Sequence, residues 1–190
     1  MELKGSKTEK NLLLAYAGES LNRNLYTYFA SQAKEEGYEQ IAAIFAETAD
    51  HEKEHARQEL KFIRTREVEI AGVLPVNIVG DTASNLETAV AGEHYEQTVM
   101  YPEFAGMAEE EGFNEIAEML RYIAFIEAWH EKRYLALLNN VKEGRVFKKD
   151  KLVEWKCRLC GYINEGNEAP MTCPVCSYDR AYFELLIENY

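Results

Sequence analysis

The sequence predicts a mainly α-helical protein, in which a four-helix bundle with one long crossover is followed by a small metal-binding module. Three observations support this prediction. Apolar residues recur at three- and four-residue steps through residues 6–143, as in helices with one buried face. Short connections around a glycine join the first helical stretch to the second and the third to the fourth, whereas a longer connection separates the second from the third. All four cysteines lie near the C-terminus, between Cys157 and Cys176.

The first two helices are predicted from their end signals. Helix A begins at the capping box of Ser6 and Glu9 and ends near Gly37. Helix B covers residues 39–66, and each of the two helices spans roughly 40 Å at 1.5 Å per residue. Because only a residue or two around a glycine connects them, we expect the two helices to lie antiparallel.

The second two helices follow the same plan. Helix C begins at the capping box of Ser84 and Glu87 and ends near Gly112, and helix D covers residues 114–142. Between helices B and C, residues 67–82 form a longer stretch that can cross the bundle from one end to the other. One long crossover among four helices is typical of the ferritin-like bundle.

The two helix pairs also repeat each other in sequence. Residues 17–19 recur 74 positions later, whereas residues 52–55 recur 75 positions later as residues 127–130. Such a repeat indicates two hairpins of one type that pack as a pseudo-twofold pair. The change of spacing implies one extra residue in helix C between positions 93 and 111, and a π-bulge is the expected accommodation.

Acidic residues and histidines occupy positions on the inward faces of all four helices. Pairs three residues apart project from one face of a helix, so both members reach the same side. Unpaired buried carboxylates cost several kcal/mol each, and this cost predicts a bound cation. The candidate ligands are Glu19, Glu52, His55, Glu93, Glu96, Glu127 and His130.

The arrangement of these ligands predicts a non-haem di-iron centre. Carboxylates with imidazoles suit iron or manganese. Ferritin-like di-iron proteins take one Glu from each of two helices and a Glu-x-x-His motif from each of the other two. Glu96 breaks the symmetry, because its repeat partner is Asn22. We therefore expect one metal to have His55 and Glu96 as alternative ligands in different redox states.

Four further side chains lie close to these ligands in the sequence. His51 and His94 have no histidine at the matching repeat position, and we interpret both as non-ligands. Tyr26 and Tyr101 follow the single acids Glu19 and Glu93 by about two turns. A phenol there can donate a hydrogen bond to a ligand carboxylate, although packing in the core explains the same positions equally well.

The cysteines form two Cys-x-x-Cys knuckles at a spacing typical of a tetrahedral metal site. Four-sulfur sites hold zinc, which would only stabilise the fold, or a single iron, which would carry one electron. We predict a bundle domain over residues 1–145, a linker over 146–152 and the module over 153–190. The four predicted ligands are Cys157, Cys160, Cys173 and Cys176.

Composition excludes several classes of function. The chain has 33 acidic and 21 basic residues and a net charge of −12, which argues against nucleic-acid binding. The longest uncharged run, residues 70–80, is too short to cross a bilayer, which needs roughly 20 apolar residues. Because the N-terminus has no apolar signal core, we expect a cytoplasmic protein with reduced thiols.

Taken together, the motifs resemble those of the rubrerythrin family over essentially the whole chain. In the helical part the resemblance lies in Ala-Gly-Glu-Ser at 17–20, the pair Glu93 and Glu96, Met-Tyr-Pro at 100–102 and the two Glu-x-x-His motifs. The tail resembles rubredoxin through Cys-x-x-Cys-Gly-Tyr and Cys-Pro-x-Cys.

The resemblance implies a peroxidase of oxidative-stress defence, which reduces hydrogen peroxide to water at a di-iron site. Electrons from a rubredoxin or an NAD(P)H-dependent reductase would pass through a rubredoxin-type mononuclear iron held by the four cysteines. A homodimer is also implied, in which the module of one subunit faces the di-iron site of the other. His55 would become a ligand on reduction, and the remaining implied di-iron ligands are Glu19, Glu52, Glu93, Glu96, Glu127 and His130.

Two other functions stay open at this point. A ferroxidase that oxidises and stores iron would use the same bundle, and it predicts a large cage with mineral cores. A redox- or metal-sensing interaction protein would hold zinc in the cysteine module. Size-exclusion chromatography tests the first alternative. A visible spectrum tests the second, because ferric tetrathiolate is red and zinc is colourless.

Overall fold

The computed structural model describes residues 2–64, 67–75 and 77–189. In these residues, helices are followed by a small antiparallel sheet, with a long crossover between the second and third helices. The helical bounds are α1 Lys7–Glu35, α2 Glu39–Leu60, α3 Thr82–Tyr95, a π-helical turn Glu96–Met100, α4 Tyr101–Glu110 and α5 Asn114–Lys142. The first helix pair consists of α1 and α2, and the second pair consists of the stretch from α3 to α4 together with α5.

The π-helical turn lies inside the stretch where the change of repeat spacing predicts an extra residue. It covers five residues, Glu96–Met100, and joins α3 to α4 without a break in the helical path. The predicted helix C is therefore present as α3, the π-helical turn and α4. A π-turn absorbs one additional residue while leaving the helical segments on either side in register with their neighbours.

The predicted helix ends are right in part. The Ser6 hydroxyl accepts a hydrogen bond from the Glu9 amide at 3.0 Å, so α1 begins at its predicted cap. The predicted start of helix C is wrong, because the Asp81 carboxylate accepts from the Ser84 amide at 2.8 Å and begins α3 earlier. Helix α2 ends at Leu60, before the predicted end, and residues 61–64 are not helical. Positions 65 and 66 of that prediction lie outside the described residues.

Two apolar clusters hold the bundle together, one on each side of the buried acids. The first is built around aromatic residues such as Phe29, Phe45 and Tyr134. The second contains Leu12 and Leu120 among others. On α1 and α5 the acidic positions fall between members of these two clusters. The clusters thus fix the helices while a polar layer between them carries the candidate ligands.

The C-terminal module is a three-stranded sheet with the strand order β2-β1-β3. The strands are β1 Lys148–Cys157, β2 Ile163–Glu168 and β3 Phe183–Leu185, all antiparallel. Its small core contains Trp155, which donates a hydrogen bond from Nε1 to the Gly166 carbonyl at 3.0 Å. Strand β1 begins within the stretch predicted as a linker.

The module packs against the turn between α1 and α2. Tyr38 and Phe147 stack with ring centres 6.1 Å apart and planes 8° from parallel. The backbone at Gly37 approaches the Ala181 side chain so closely that an added Cβ would lie 3.6 Å from it. No helix in the described ranges is both long enough and apolar enough to span a membrane.

Candidate metal centres

The bundle interior gathers all seven acidic and histidine residues that the sequence singles out. Each lies on an inward face between the two apolar clusters, and the most exposed of them is only 7% accessible. Glu19 is on α1, Glu52 and His55 are on α2, and Glu93 is on α3. Glu96 begins the π-helical turn, and Glu127 and His130 are on α5.

Six of these residues form two overlapping groups whose ligand atoms lie within 4.8 Å of one another. Both groups contain Glu52 and Glu127. The first group also contains Glu19 and His55, and the second also contains Glu93 and His130.

Each shared glutamate directs one oxygen towards each histidine. Glu52 Oε2 lies 3.0 Å from His55 Nδ1, and its Oε1 lies 3.4 Å from His130 Nδ1. Glu127 Oε1 and Oε2 lie 2.9 Å and 2.7 Å from the same two nitrogens, respectively. Each of the two carboxylates therefore presents one oxygen to each of the two groups.

Many buried atoms in this layer have no partner in hydrogen-bonding geometry, although some of them lie close to one another. A buried polar atom without a partner costs about 1–3 kcal/mol, so such a concentration calls for a cation. The ligand set of carboxylates and imidazoles suits the two irons of a di-iron centre. The unpartnered atoms are Glu19 Oε2, Glu52 Oε1, Glu93 Oε2, Glu96 Oε2, both Glu127 carboxylate oxygens and His130 Nδ1.

Burial also shifts the pKa values of these groups. Loss of solvent raises the pKa of Glu19 from 4.5 to about 7, partly offset by hydrogen bonds from neighbouring side chains. Burial likewise raises the pKa of Glu52 and of Glu127 well above the usual range. Burial lowers the pKa of His55 to about 3, with a further contribution from nearby His130. His55 is therefore neutral, as a metal ligand must be.

Two tyrosines hydrogen-bond the single acids crosswise. Tyr26 on α1 donates from Oη to Glu93 Oε1 on α3, at 2.6 Å. Tyr101 at the start of α4 donates to Glu19 Oε1 on α1. Each tyrosine thus orients a carboxylate that belongs to the other helix pair, in addition to packing in the core.

Glu96 lies outside the two groups. Its Oε1 accepts a hydrogen bond at 2.8 Å from Asn22 Nδ2, its partner in the repeat. Burial raises its pKa well above the usual range. The structure therefore places His55 within ligand distance of the cluster and holds Glu96 beside it.

One buried acid in this layer is not among the residues that the sequence singles out. Glu59 is fully buried, and its Oε1 lies 3.1 Å from the Tyr101 hydroxyl. It follows His55 by four residues on the same helical face, a spacing that could have identified it. His51, which the sequence predicts to be a non-ligand, belongs to neither ligand group, and its Nδ1 lies 3.0 Å from His130 Nε2. That contact turns Nδ1 of His130 towards the carboxylates.

The four cysteines meet in the module at the distances expected for a tetrahedral site. The Sγ atoms of Cys157 and Cys176 are 3.8 Å apart, and those of Cys160 and Cys173 are 3.6 Å apart. Four sulfurs at about 2.3 Å from a central ion would be about 3.8 Å from one another. No disulfide joins these four cysteines.

Both cysteine knuckles share one backbone geometry. Gly161 and Ser177 each lie four residues after the first cysteine of their knuckle, and both adopt positive φ, at 77° and 63°. Their amides donate to the carbonyls of Cys157 and Cys173, each at 2.9 Å. The chain thereby turns tightly enough to direct both sulfurs of each knuckle to one point.

A surface pocket of about 640 Å³ lies between α2 and α5 and leads towards the carboxylate layer. Its lining includes His51, His55, Tyr122 and Ile126. His55 belongs both to this lining and to one of the two ligand groups. The pocket therefore reaches the edge of the ligand layer at His55.

Comparisons with known proteins cover both parts of the chain. Residues 10–138 match the family described as Rubrerythrin, and residues 155–184 match the family described as Rubrerythrin, rubredoxin-like domain. The rubrerythrin of Porphyromonas gingivalis is 54% identical over 188 residues, covering 99% of this chain and 94% of that protein. The rubrerythrin of Nitratidesulfovibrio vulgaris is 52% identical and covers 99% and 98%, respectively.

Solved structures agree with these matches. The structure titled "Partially Reduced State of Nigerythrin" superimposes with a TM-score of 0.64 at 32% identity, covering 96% of this chain and 90% of that one. Symerythrin from Cyanophora paradoxa, reduced with dithionite, gives a TM-score of 0.63 over 72% of this chain. At 24% identity, the symerythrin match supports the fold alone.

Proposed function

Because this chain belongs to the rubrerythrin family, we propose that it reduces hydrogen peroxide to water at a di-iron centre in the helical bundle. The observation that carries the proposal is the pair of ligand groups joined by Glu52 and Glu127. Seven candidate ligands serve the centre: Glu19, Glu52, His55, Glu93, Glu96, Glu127 and His130.

Two ferrous ions held there would supply the two electrons that convert one peroxide and two protons into two molecules of water. Among the candidate ligands, Glu19, Glu52, Glu93 and Glu127 have no exposed surface. Tyr26 fixes the orientation of the Glu93 carboxylate through its hydrogen bond. Peroxide is small enough to enter by the pocket beside His55.

We propose that electrons reach the bundle through a mononuclear iron held by the four cysteines, from a rubredoxin or an NAD(P)H-dependent reductase. The match of residues 155–184 to the rubredoxin-like domain supports this relay. We also propose a cytoplasmic location, where reducing conditions would keep the four thiols free for the metal.

We further propose a homodimer in which electrons cross from the module of one subunit to the bundle of the other. Within one chain the module packs beside Tyr38, at the start of α2, whereas the first candidate ligand on α2 is Glu52. A helix rises about 20 Å over that stretch. Transfer from a second subunit would avoid this distance.

Stopped-flow mixing of the diferrous protein with hydrogen peroxide tests the activity. We expect both bundle irons to be oxidised much faster by peroxide than by dioxygen, with one peroxide consumed for each pair of electrons. Oxidation no faster than with dioxygen, together with a large cage that accumulates mineral, would instead favour the ferroxidase alternative.

Mixed dimers test the route of the electrons. One subunit carries Cys160→Ala and Cys176→Ala, which remove the relay, and the other carries His130→Ala, which damages the bundle site. If electrons cross between subunits, the mixed dimer retains activity at its one complete pair of sites, although each parent homodimer has lost it. An inactive mixed dimer that contains both metals would contradict the proposed route.

A further inference from the structure

A second cavity lies between α1, α3 and the crossover, and residues 73–75 of the crossover form part of its wall. It has a volume of about 100 Å³ and is largely enclosed. Within the described ranges it shares no lining residue with the pocket beside His55, so the two lie between different helices. Most of its wall is apolar, and the apolar side chains include Leu14, Leu25, Leu74, Met100 and Phe104.

The inner wall of this cavity belongs to the ligand layer. Glu96 lines the cavity, and its buried Oε2 has no hydrogen-bond partner among the described residues. Tyr26 lines the cavity as well, and its hydroxyl donates to the Glu93 carboxylate. Tyr26 is 2% exposed and Glu96 is 7% exposed. A molecule in the cavity would therefore lie next to candidate ligands of the metal centre.

The size of the cavity restricts its occupant to a very small molecule. One water takes up about 30 Å³ in the liquid, so the cavity has room for only a few groups of that size. Apolar cavities of about 150 Å³ in proteins stay dry and bind benzene or xenon. A smaller apolar cavity suits a molecule of about two or three heavy atoms.

The apolar wall favours dioxygen over hydrogen peroxide. Peroxide carries two O–H groups, and each loses hydrogen bonds to water when it enters apolar surroundings. Asn22, another lining residue, already donates its amide hydrogen to Glu96 Oε1. Dioxygen has no strong hydrogen bonds to lose, so its transfer from water to the apolar wall costs little.

Two glycines of the sequence repeat belong to the wall of the cavity. Gly18 on α1 and Gly92 on α3 are repeat partners, and both line the cavity. A glycine inside a helix costs about 1 kcal/mol relative to alanine. An added Cβ at Gly18 would lie 3.8 Å from Leu74 Cδ2, whereas one at Gly92 would meet no atom of the described residues within 4 Å. Packing therefore does not require a glycine at position 92, and its missing side chain leaves space at the cavity wall.

We propose that this cavity is a binding site for dioxygen and the route by which dioxygen reaches the bundle irons, separate from the pocket beside His55. The route, unlike the binding site, rests on the proposed function of the di-iron centre. Oxidation by dioxygen takes one electron from each of two ferrous ions and, with two protons, converts one dioxygen into one hydrogen peroxide. The chain's own contribution is an apolar path that ends beside Glu96.

Crystals of the iron-loaded, full-length protein under xenon pressure test the binding site, because xenon occupies apolar cavities of this kind. We expect a xenon peak between α1, α3 and the crossover in the unaltered protein. Gly92→Leu places a side chain at the cavity wall and should remove the peak. No xenon in the unaltered cavity, or equal xenon in Gly92→Leu, would overturn the proposal.

The matched control is Gly106→Leu, which should keep the xenon peak. Gly106 is also a half-buried helical glycine, and a Cβ added there would likewise meet no atom of the described part of the chain within 4 Å. It is not among the described residues that line the cavity. Leucine is a better helix former than glycine, so neither substitution opposes its helix.

Stopped-flow oxidation of the diferrous protein tests the route. At equal iron content we expect Gly92→Leu to slow oxidation by dioxygen several-fold and to leave oxidation by peroxide unchanged, with both rates unchanged in Gly106→Leu. A substitution that only disturbed the metal centre would slow both oxidants alike, so the ratio of the two rates is the measurement. An unchanged ratio in Gly92→Leu would overturn the route. Gly92→Ala repeats the test with a smaller group if the leucine variant fails to load iron.

These measurements separate the dioxygen site from the proposed function. If the unaltered diferrous protein does not react with peroxide, the proposed function fails, while the xenon peak and the dioxygen rate still decide on the cavity. If the unaltered protein reacts with peroxide and Gly92→Leu reacts with dioxygen at the original rate, the dioxygen route is wrong while the peroxidase proposal stands.

Discussion

The two helix pairs of the bundle are alike where they offer ligands to a metal and differ beside those ligands. The first hairpin, α1 and α2, contributes Glu19, Glu52 and His55. The second hairpin, α3 to α5 with the π-helical turn, contributes their repeat partners Glu93, Glu127 and His130. Each hairpin also sends a tyrosine to the other.

The differences lie in side chains that surround the ligand layer. Glu96 faces Asn22, its uncharged repeat partner. Glu59 is an acid where the second hairpin has Tyr134, and His51 contacts His130 where the second hairpin has an isoleucine. The residues that repeat between the hairpins thus provide the ligands for two cations. The residues that do not repeat make the surroundings of the two cations unequal.

Removing a carboxylate that both ligand groups share should have the largest effect, because it should affect the binding of both irons. Glu127→Ala takes one oxygen from the neighbourhood of each histidine, so we expect the bundle to lose most of both irons. His55→Ala and His130→Ala each affect one group, and about half of the bundle iron should remain. Metal analysis, corrected for iron in the cysteine site, measures the difference. The exposed His94 provides the control variant His94→Ala, and equal iron loss in all three ligand variants would contradict the bridging assignment.

Removing the metal should make the free-energy cost of burying the acids of both hairpins measurable as a dependence of stability on pH. The pKa of Glu19 is raised in the folded chain from 4.5 to about 7, so the folded state holds a proton that the unfolded state has released between these pH values. Glu19 alone should therefore lower the free energy of unfolding of the metal-free protein by on the order of 3 kcal/mol as pH rises from about 4.5 to 7. The raised pKa values of Glu52 and Glu127 act in the same direction, whereas the lowered pKa of His55 opposes part of the fall below pH 6.5, so we expect a net loss of stability.

Denaturant unfolding of the metal-free protein at several pH values measures this slope. The iron-loaded protein should not show the same loss, because the cations favour the ionised carboxylates. Glu19→Gln should flatten part of the slope. A metal-free protein that becomes more stable between pH 5 and pH 7 would contradict the account of the buried acids.

The two crosswise tyrosines provide a smaller and more selective comparison. Tyr26 serves one carboxylate, whereas Tyr101 contacts both Glu19 and Glu59. A hydrogen bond to a charged group contributes about 1.5–3 kcal/mol, so Tyr26→Phe should lower the free energy of unfolding by about 2 kcal/mol and Tyr101→Phe by more. Denaturant unfolding of both iron-loaded variants gives the ranking, and a larger loss in Tyr26→Phe than in Tyr101→Phe would contradict a stabilising role for the second contact of Tyr101, with Glu59.

Asn22→Ala should have the smallest effect. It removes one hydrogen bond to Glu96 and leaves every member of the two ligand groups in place. We expect a loss of about 1 kcal/mol, which corresponds to about 3 °C in the thermal midpoint of a chain of this size. A loss as large as that of Tyr101→Phe would mean that Asn22 supports more of the layer than its contact with Glu96.

Much of this fold can be predicted from the sequence because its signals are local or repeated. The Ser6 cap starts α1, and the change of repeat spacing predicts the π-helical turn. The predicted start of helix C is wrong because two residues three positions apart, Asp81 and Ser84, can each cap a helix, and only the folded backbone selects Asp81. The domain boundaries and the ligand roles of individual residues stay predictions.

The candidate site was predictable only where the repeat marks it. Glu52 and Glu127 are recognised because they recur at a fixed spacing beside a histidine. Glu59 lies on the same face of α2 as Glu52 and His55, but it has no acidic partner in the repeat and is therefore not marked as part of the site. Its contact with Tyr101 joins positions 42 residues apart, and only tertiary packing brings them together.

The crosswise tyrosines bear on the ancestry of the bundle. Because the Tyr26 hydroxyl meets Glu93 and the Tyr101 hydroxyl meets Glu19, neither hairpin can satisfy its own acid by itself. An ancestral protein that consisted of one such hairpin would therefore have needed a second copy of itself to form the same contacts. Self-association would then have preceded the duplication and fusion of its gene, and the fused polypeptide was free to let its two halves diverge.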